Sequence, residues 1–146
     1  MGQFATGVTV VTSAGPEGPA GLTTNAFSSL SLDPLLVLVC LDRTARTLAA
    51  VESSRRLAVN VLARNQEALA VTFAGKASHA EKFSGASHRE VDGVPVLDGV
   101  VAWLTGEVRE LLPGGDHVIA VVEVTSFDAP GGEPLVFYGG RYGSVA

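Results

Sequence analysis

Short apolar and β-branched runs, separated by turns rich in glycine and proline, set the pattern of the chain. The run Val8–Thr12 is typical of a strand, and Ala14–Pro19, which reads AGPEGP, is typical of a turn. Ala20–Thr23 is then the second limb of a hairpin. Leu35–Leu41 is apolar at every position and too short to indicate a helix. It predicts a strand buried on both faces, as in a barrel wall covered by a partner.

A segment whose apolar residues have helical spacing follows this strand. In Thr44–Ser54 the apolar residues recur at helical intervals, and either Asp42 or Thr44 is placed to cap the helix. Leu57–Leu62 returns to a strand pattern, and Gln66–Ala74 predicts a second short helix. Gly75–Gly93 is polar and lacks periodicity, so we expect a long surface loop there.

The last third of the chain is rich in β-branched residues. Val100–Leu112 and Val118–Phe127 are joined by Pro113–Asp116, which reads PGGD and predicts a hairpin. Another turn precedes a final strand at Pro134–Tyr138. The pattern predicts about seven strands and two short helices without regular alternation, which indicates a mainly β fold, an antiparallel barrel with helical insertions. Residues 1–146 are expected to form one domain, without an internal repeat or linker.

The stretch Thr23–Pro34, which reads TTNAFSSLSLDP, carries many short polar side chains directly before an apolar run. We expect it to form a loop on the β scaffold. Its hydroxyl and amide groups suit a ligand that carries phosphate and heteroaromatic nitrogens. The same residue types also favour turns for local reasons, so composition leaves both a binding loop and a plain polar linker open.

Composition and charge narrow the function classes. The net charge is -5, and the 10 basic residues are spread along the chain, which argues against a nucleic-acid surface. Hydrophobic residues make up 47% of the chain and charged residues 17%, so we expect a homodimer or a large bound ligand to cover apolar surface. No apolar run reaches the ~18 residues of a membrane span, and no membrane association is expected.

The single cysteine, Cys40, excludes an internal disulfide and a cysteine-based zinc site, and a cytoplasmic location is expected. The motifs G-x-G-x-x-G, G-x-x-x-x-G-K-[ST] and G-x-S-x-G are absent from the sequence. The histidines His79, His88 and His117 match no zinc spacing, so no metal is expected. His117 begins a strand after a turn, where it either projects from a barrel rim into a site or is a solvated strand-end residue.

Six segments in order resemble the flavin reductase-like family of small split-barrel proteins. They are FATGVTVVT, TTNAFSSLSLDPLLVLVCL, NVLARNQEALAVTFAG, GVPVLDG, GDHVIAVVEV and PLVFYGGRYG, and they cover nearly the whole chain. The resemblance implies a homodimeric split β-barrel of the FMN-binding type. It further implies an NAD(P)H:flavin oxidoreductase in which NADH or NADPH reduces FMN, with FAD and a deazaflavin as alternatives. The reduced flavin then passes to a flavin-dependent monooxygenase.

The resemblance also implies a set of cofactor-binding residues. Those along the flavin ring are Thr24, Asn25, Ala26, Phe27, Ser28, Ser29 and Ser31. Those near the ribityl phosphate, where a helix start with hydroxyls and an arginine also suits an anion, are Cys40, Leu41, Asp42, Thr44, Arg46 and Thr47. Those that close over the phosphate side are Phe73, Ala74, Gly75, Lys82 and Phe83. The residues matched to a catalytic histidine and to a C-terminal G-[KR]-Y that holds cofactor or substrate are His117, Arg141 and Tyr142.

In this interpretation the flavin carries the redox chemistry, and no protein acid or base is required. His117 is expected to orient the nicotinamide, while Ser28 and Ser31 tune the ring through hydrogen bonds. A flavin carrier or electron-transfer module without NAD(P)H turnover is the alternative function, and it needs neither His117 nor the pair Arg141 and Tyr142. An oligonucleotide-binding barrel is a third, which the acidic charge disfavours.

The sequence departs from the family pattern at two places. Family members carry a short helix before the F-x-T-G-V segment, whereas this numbering opens at Met1. Gly75–Gly93 is longer and more charged than in compact members, which leaves the match of Lys82 open.

Overall fold

The computed structural model describes residues 1–145, which form short helices and an antiparallel arrangement of strands. The strands are β1 (Thr6–Gly7), β2 (Thr9–Gly15), β3 (Gly18–Thr24), β4 (Phe27–Leu32), β5 (Leu35–Asp42), β6 (Arg56–Val61), β7 (His88–Val91), β8 (Val94–Leu97), β9 (Ala102–Gly114), β10 (His117–Asp128), β11 (Leu135–Tyr138) and β12 (Arg141–Ser144). The helices are α1 (Arg46–Ser54), α2 (Glu67–Ala74) and α3 (His79–Ser84), with a 3-10 turn at Arg64–Gln66.

Seven strands form one antiparallel sheet in the order β3-β2-β6-β9-β10-β5-β4. Strands β3 and β4 are its two edges, yet only Asn25 and Ala26 separate them in sequence. A flat sheet of this width would hold its edges about 29 Å apart, whereas such a short connection spans about 10 Å. The sheet is therefore rolled around its core. The prediction of a mainly β, antiparallel fold with a few short helices is confirmed.

The inner face of the rolled sheet packs against α1. Val11, Val39 and Leu41 from the sheet and Val51 from α1 are fully buried in one apolar cluster. A second cluster lies on the other face of β2, where α2 and α3 cover it with Phe73 and other apolar side chains. Strand β2 is thus buried on both faces, and α2 and α3 are fixed beside β3.

Strand β5 was expected to be buried on both faces, and the structure shows burial on one. Val37, Val39 and Leu41 face the core, whereas Leu36 and Leu38 on the opposite face are only half-buried within this chain. An apolar run alone cannot show which face a single chain covers and which face it leaves for another surface.

The prediction of a long surface loop at Gly75–Gly93 is wrong, because the segment forms α3, β7 and β8. Ser78 caps α3 by accepting a hydrogen bond from the Glu81 backbone N–H at 3.2 Å, and β7 and β8 form a hairpin. Asp92 and Gly93 make the turn with positive φ angles of 51° and 81°. Both elements are shorter than the window in which periodicity becomes visible, so capping and turn residues are their main sequence signals.

Two further expectations are corrected around β5. Thr23–Pro34 is not a loop, because Phe27–Leu32 pairs with β5 as edge strand β4 and backbone pairing overrides its polar composition. Neither Asp42 nor Thr44 caps α1, since the N-cap is Ala45 and has no side-chain hydrogen bond. The predicted numbers of strands and helices are also too low, because several elements span only two to six residues.

Among the helices of residues 1–145, none is long and apolar enough to cross a membrane.

Candidate functional site

A cleft of about 520 Å³ opens where the start of α1, the end of α2 and α3 meet strand β3. We call it the basic cleft because Arg46, Lys76 and Lys82 line it and no acidic side chain does. Its other lining residues are Leu22, Thr23, Thr44, Ala45, Thr47, Phe73, Ala74, Gly75 and His79. On a chain with a net charge of -5, this local excess of positive charge favours an anionic ligand.

The turn that leads from β5 into α1 builds one wall of the basic cleft. Asp42 Oδ1 accepts hydrogen bonds from the Thr44 backbone N–H at 2.8 Å and from Thr44 Oγ1 at 2.6 Å. These bonds from Thr44, with a smaller contribution from His117, lower the pKa of the Asp42 carboxyl. Arg46 then opens the helix and donates from Nη2 to the carbonyl of Ala77 at 2.5 Å. The guanidinium is thereby held across the mouth of the basic cleft.

Helix α3 supplies the opposite wall. Lys82 is only 4% exposed, and its Nζ donates to the carbonyls of Phe73 at 3.1 Å and Gly21 at 3.5 Å. The Gly21 backbone N–H donates to His79 Nδ1 at 3.4 Å, which places the proton of the neutral ring on Nε2. That Nε2 is buried and has no partner among residues 1–145. A buried donor without an acceptor is costly, and a ligand oxygen in the basic cleft is the kind of group that satisfies it.

The basic groups of the basic cleft repel one another when they are protonated, so each makes the charged form of its neighbours less stable. Burial lowers the pKa of His79, and the charges of Arg46 and Lys82 lower it further. Burial also lowers the pKa of Lys82, with Arg46 adding to the effect. Perturbed cations gathered in a cleft mark a functional-site candidate, because a bound anion relieves their repulsion.

A second cleft of about 190 Å³ adjoins the first and shares Thr23 and Ala74 with it. We call it the aromatic cleft because Phe137 and Tyr142 line it, with ring centroids 5.2 Å apart. Its other lining residues are Val8, Thr24 and Asn25. Thr23 Oγ1 donates to the carbonyl of Ala70 at 2.6 Å, so β3 and α2 are tied together where the two clefts meet.

His117 lies at the start of β10, beside the turn that leads into α1. It pairs with Asp42 across the β5–β10 ladder, and its side chain is 38% exposed. Its Nδ1 lies 2.8 Å from Asp116 Oδ1. Thr44, two residues after Asp42, lines the basic cleft, so His117 lies near the rim of that cleft without lining it.

The structure gathers ten of the 21 predicted site residues into the two clefts. The ten are Thr24, Asn25, Thr44, Arg46, Thr47, Phe73, Ala74, Gly75, Lys82 and Tyr142. Eleven lie outside the lining of both clefts, namely Ala26, Phe27, Ser28, Ser29, Ser31, Cys40, Leu41, Asp42, Phe83, His117 and Arg141. The roles of all 21 stay predictions.

Several of the outer residues have clear structural positions. Leu41 is fully buried in the core, so its side chain reaches neither cleft. Phe83 packs edge to face on Phe73, with ring centroids 5.1 Å apart, and supports the floor of the basic cleft. Ser28 and Ser29 lie on edge strand β4, and Arg141 begins β12 on the surface.

Sequence reasoning missed Lys76 and His79 as cleft residues, whereas Thr23 belongs to the stretch proposed as a binding loop. The spacing of Ser78 and Glu81 is a helix N-terminus signal, and it places His79 and Lys82 on one helix face at i and i+3. The contacts of both residues with Gly21 join positions 58 and 61 residues apart, and no local pattern shows such contacts.

The paired clefts fit a flavin cofactor. The basic cleft offers cations, hydroxyls and the unpaired His79 Nε2–H to the phosphate end of the cofactor. The aromatic cleft offers the side chains of Phe137 and Tyr142 to its planar ring. Within residues 1–145, no three metal-binding side chains are grouped so as to hold an ion.

Comparison with known proteins gives a consistent set of relatives. A family model described as "Flavin reductase like domain" matches residues 1–146. A "Probable flavin reductase" of Rhizobium meliloti (strain 1021) is 40% identical over 144 residues, which span 97% of this chain and 46% of that protein. The reductase component of 4-nitrophenol 4-monooxygenase/4-nitrocatechol 2-monooxygenase of Rhodococcus opacus is 41% identical over 143 residues, which span 98% of this chain and 76% of that protein.

A solved structure shares the fold closely. The NADH:FAD oxidoreductase of Streptomyces globisporus C-1027, in complex with NAD and FAD fragments, is 37% identical and superposes with a TM-score of 0.93. The match covers 99% of this chain and 88% of that chain. This chain is thus similar along almost its whole described length to a protein with both kinds of cofactor fragment bound.

Proposed function

This chain belongs to the flavin reductase-like family, and from that membership we propose that residues 1–146 form one NAD(P)H:flavin oxidoreductase domain. The observation that carries the proposal is the basic cleft joined to the aromatic cleft, which matches a ligand with an anionic end and a planar aromatic end. FMN is the proposed flavin, with FAD as the alternative, and NADH or NADPH is the reductant. The similarity to a protein with NAD and FAD fragments bound supports this pair of cofactors.

The redox chemistry that a flavin supplies when bound is the acceptance of a hydride from NAD(P)H. The residues of this chain would bind the flavin and orient its ring. Arg46, Lys76 and Lys82 would hold the phosphate end by charge, and His79 Nε2–H is a further donor. Phe137 and Tyr142 would flank the ring, with Thr24 and Asn25 as hydrogen-bonding groups in the same cleft.

The proposed role of His117 is to orient the nicotinamide. Its position near the rim of the basic cleft supports this role, and its Nδ1 lies 2.8 Å from the exposed Asp116 carboxylate. Correct alignment of donor and acceptor is the main contribution that a protein makes to such a transfer. The account requires no general acid or base.

We expect His117→Ala to lower kcat/KM for NADH about tenfold, the loss that follows when one orienting hydrogen bond is removed. Steady-state NADH oxidation with added FMN measures it. Asp128→Ala is the control, because Asp128 is an exposed residue at the other end of the same strand, outside both clefts, and its kcat/KM should stay at the wild-type value. A wild-type kcat/KM in His117→Ala would remove His117 from the mechanism.

The proposed acceptor of the reduced flavin is a flavin-dependent monooxygenase. The Rhodococcus relative is named as the reductase component of a monooxygenase, and this chain covers 76% of that protein. The cytoplasmic location, which rests on the single Cys40, stays a prediction.

We propose that the chain forms a homodimer through the β4–β5 hairpin. Leu30 is 48% exposed, Leu32 91% and Leu35 37%, and all three lie in this hairpin at the edge of the main sheet. Exposed apolar side chains on an edge strand invite association, and a second copy that pairs there covers them together with the half-buried outer face of β5.

Leu32→Lys is expected to shift the protein from dimer to monomer, because burying an ammonium group in an apolar interface is costly. Sedimentation equilibrium measures the mass. Val71→Lys is the control, since Val71 is also exposed, at 57%, but lies on α2 away from the hairpin. A wild-type monomer, or a dimer that persists in Leu32→Lys, would contradict this interface.

A further inference from the structure

Two turns that belong to different parts of the proposed site are joined by one residue, Arg43. Its backbone N–H donates to the carbonyl of Asp116 at 3.0 Å. Its side-chain Nε donates to the carbonyl of Gly115 at 2.8 Å. Arg43 therefore contacts both residues of the turn between β9 and β10, which immediately precedes His117.

The turn that Arg43 contacts closes the β9–β10 hairpin, in which His117 pairs with Gly114. Gly115 and Asp116 are both exposed, and Gly115 has a positive φ of 69°. The Asp116 side chain is 92% exposed, so its contact with His117 is solvated. Beyond the flanking ladder the exposed turn has little packing, and the two hydrogen bonds from residue 43 restrict its opening further.

Arg43 also belongs to the turn between β5 and α1, which presents Thr44 and Arg46 to the basic cleft. Arg43 lies between Asp42 and Thr44. The backbone N–H and the hydroxyl of Thr44 both donate to Asp42 Oδ1, at 2.8 and 2.6 Å. Ala45 N–H donates to the Asp42 carbonyl at 3.0 Å, and α1 follows with Arg46. The backbone of Arg43 is thus fixed to the same turn that presents Thr44 and Arg46 to the cleft.

We propose that Arg43 is a positioning residue that holds the turn before His117 against the start of α1, so that the nicotinamide and flavin sites stay aligned. The inference rests on the proposed function. Arg43 lines neither cleft and acts through Gly115 and Asp116, so it touches no reacting atom. Its loss should loosen the orientation of the nicotinamide and leave the flavin-binding residues in place.

Two substitutions separate the hydrogen bond from the charge. Arg43→Met removes the side-chain donor and keeps a chain of similar length. Arg43→Gln removes the charge but carries an amide nitrogen at the same number of bonds from Cα as Nε. The backbone bond from residue 43 to Asp116 is unaffected by either change. Arg64→Met is the control, because Arg64 is an exposed arginine that contacts Glu133 at 2.8 Å.

We expect Arg43→Met to raise KM for NADH about 3- to 10-fold, the effect of one lost hydrogen bond, with kcat and the flavin Kd within about twofold of wild type. In the flavin-free protein, amide hydrogen exchange in residues 112–119 should be faster in Arg43→Met, while the urea midpoint stays near that of Arg64→Met. Arg43→Gln should restore both KM and exchange towards wild type.

Three results would overturn the inference. They are an unchanged KM for NADH in Arg43→Met, a loss of flavin affinity in Arg43→Met as large as the rise in KM, and a failure of Arg43→Gln to restore the wild-type values. A wild-type protein that binds flavin and oxidises neither NADH nor NADPH would instead overturn the proposed function, and this role of Arg43 with it. The two failures are distinguished by the wild-type assay, which does not involve residue 43.

Discussion

Arg46→Ala is expected to weaken FMN binding by about 10- to 100-fold, the range for one lost charge-assisted hydrogen-bonding group. Arg46 lines the basic cleft, and its guanidinium is held towards Ala77 at 2.5 Å rather than paired with an acidic side chain of residues 1–145. Its charge is therefore available to a phosphate. Equilibrium titration followed by flavin fluorescence measures the Kd.

Riboflavin gives the sharpest control for this prediction, because it carries the same ring without phosphate. Arg46→Ala should bind riboflavin as wild type does, within about twofold, if the guanidinium contacts the phosphate alone. Arg55→Ala is the matched protein control, since Arg55 is exposed and follows the other end of α1. Equal losses of affinity for FMN and riboflavin would place Arg46 beside the ring or indicate a general disruption of α1.

Gly106→Ala is expected to destabilise the folded chain by about 3 kcal/mol or more, a large part of the total stability of a domain. Gly106 is buried in β9, where an added Cβ would lie 2.5 Å from the Glu123 carbonyl oxygen and 2.5 Å from Val122 Cγ1. The carbonyl belongs to the backbone of the neighbouring strand β10, which cannot retreat without breaking the ladder. Urea unfolding followed by circular dichroism measures the loss.

Gly7→Ala is the control for the effect of the substitution itself. Gly7 lies in strand β1, has no heavy atom within 4 Å of an added Cβ, and is exposed. Its stability should change by about 0.5 kcal/mol or less. A Gly106→Ala protein as stable as Gly7→Ala would show that β9 and β10 are not packed as closely as described.

The sequence predicts the parts of this fold that depend on neighbouring residues. The β2–β3 hairpin, strand β6, α1 and the long β9–β10 hairpin all lie where β-branched runs, helical spacing and turn residues place them. The prediction fails at α3 and at the β7–β8 hairpin, which are too short for periodicity to show. It also fails at β4, where pairing with β5 decides the conformation of a serine-rich segment.

The candidate site depends on contacts that are distant in sequence. His79 and Lys82 reach the basic cleft because both meet Gly21, and Arg43 reaches Gly115 across 72 positions. No local pattern contains this information. Seven of the eleven residues that the family resemblance implied for the phosphate side nevertheless line one cleft. They meet there because α1 and α2 both contact the edge strand β3.

The most direct test of the central claim, that this chain transfers a hydride from a nicotinamide to a flavin, is anaerobic mixing of the FMN-loaded protein with NADH or NADPH. The visible absorbance of the oxidised flavin is followed in a stopped-flow instrument. The account predicts rapid bleaching with at least one of the two reductants, faster than for free FMN under the same conditions. Flavin that binds and is bleached by neither reductant would contradict the account and favour a flavin carrier without NAD(P)H turnover.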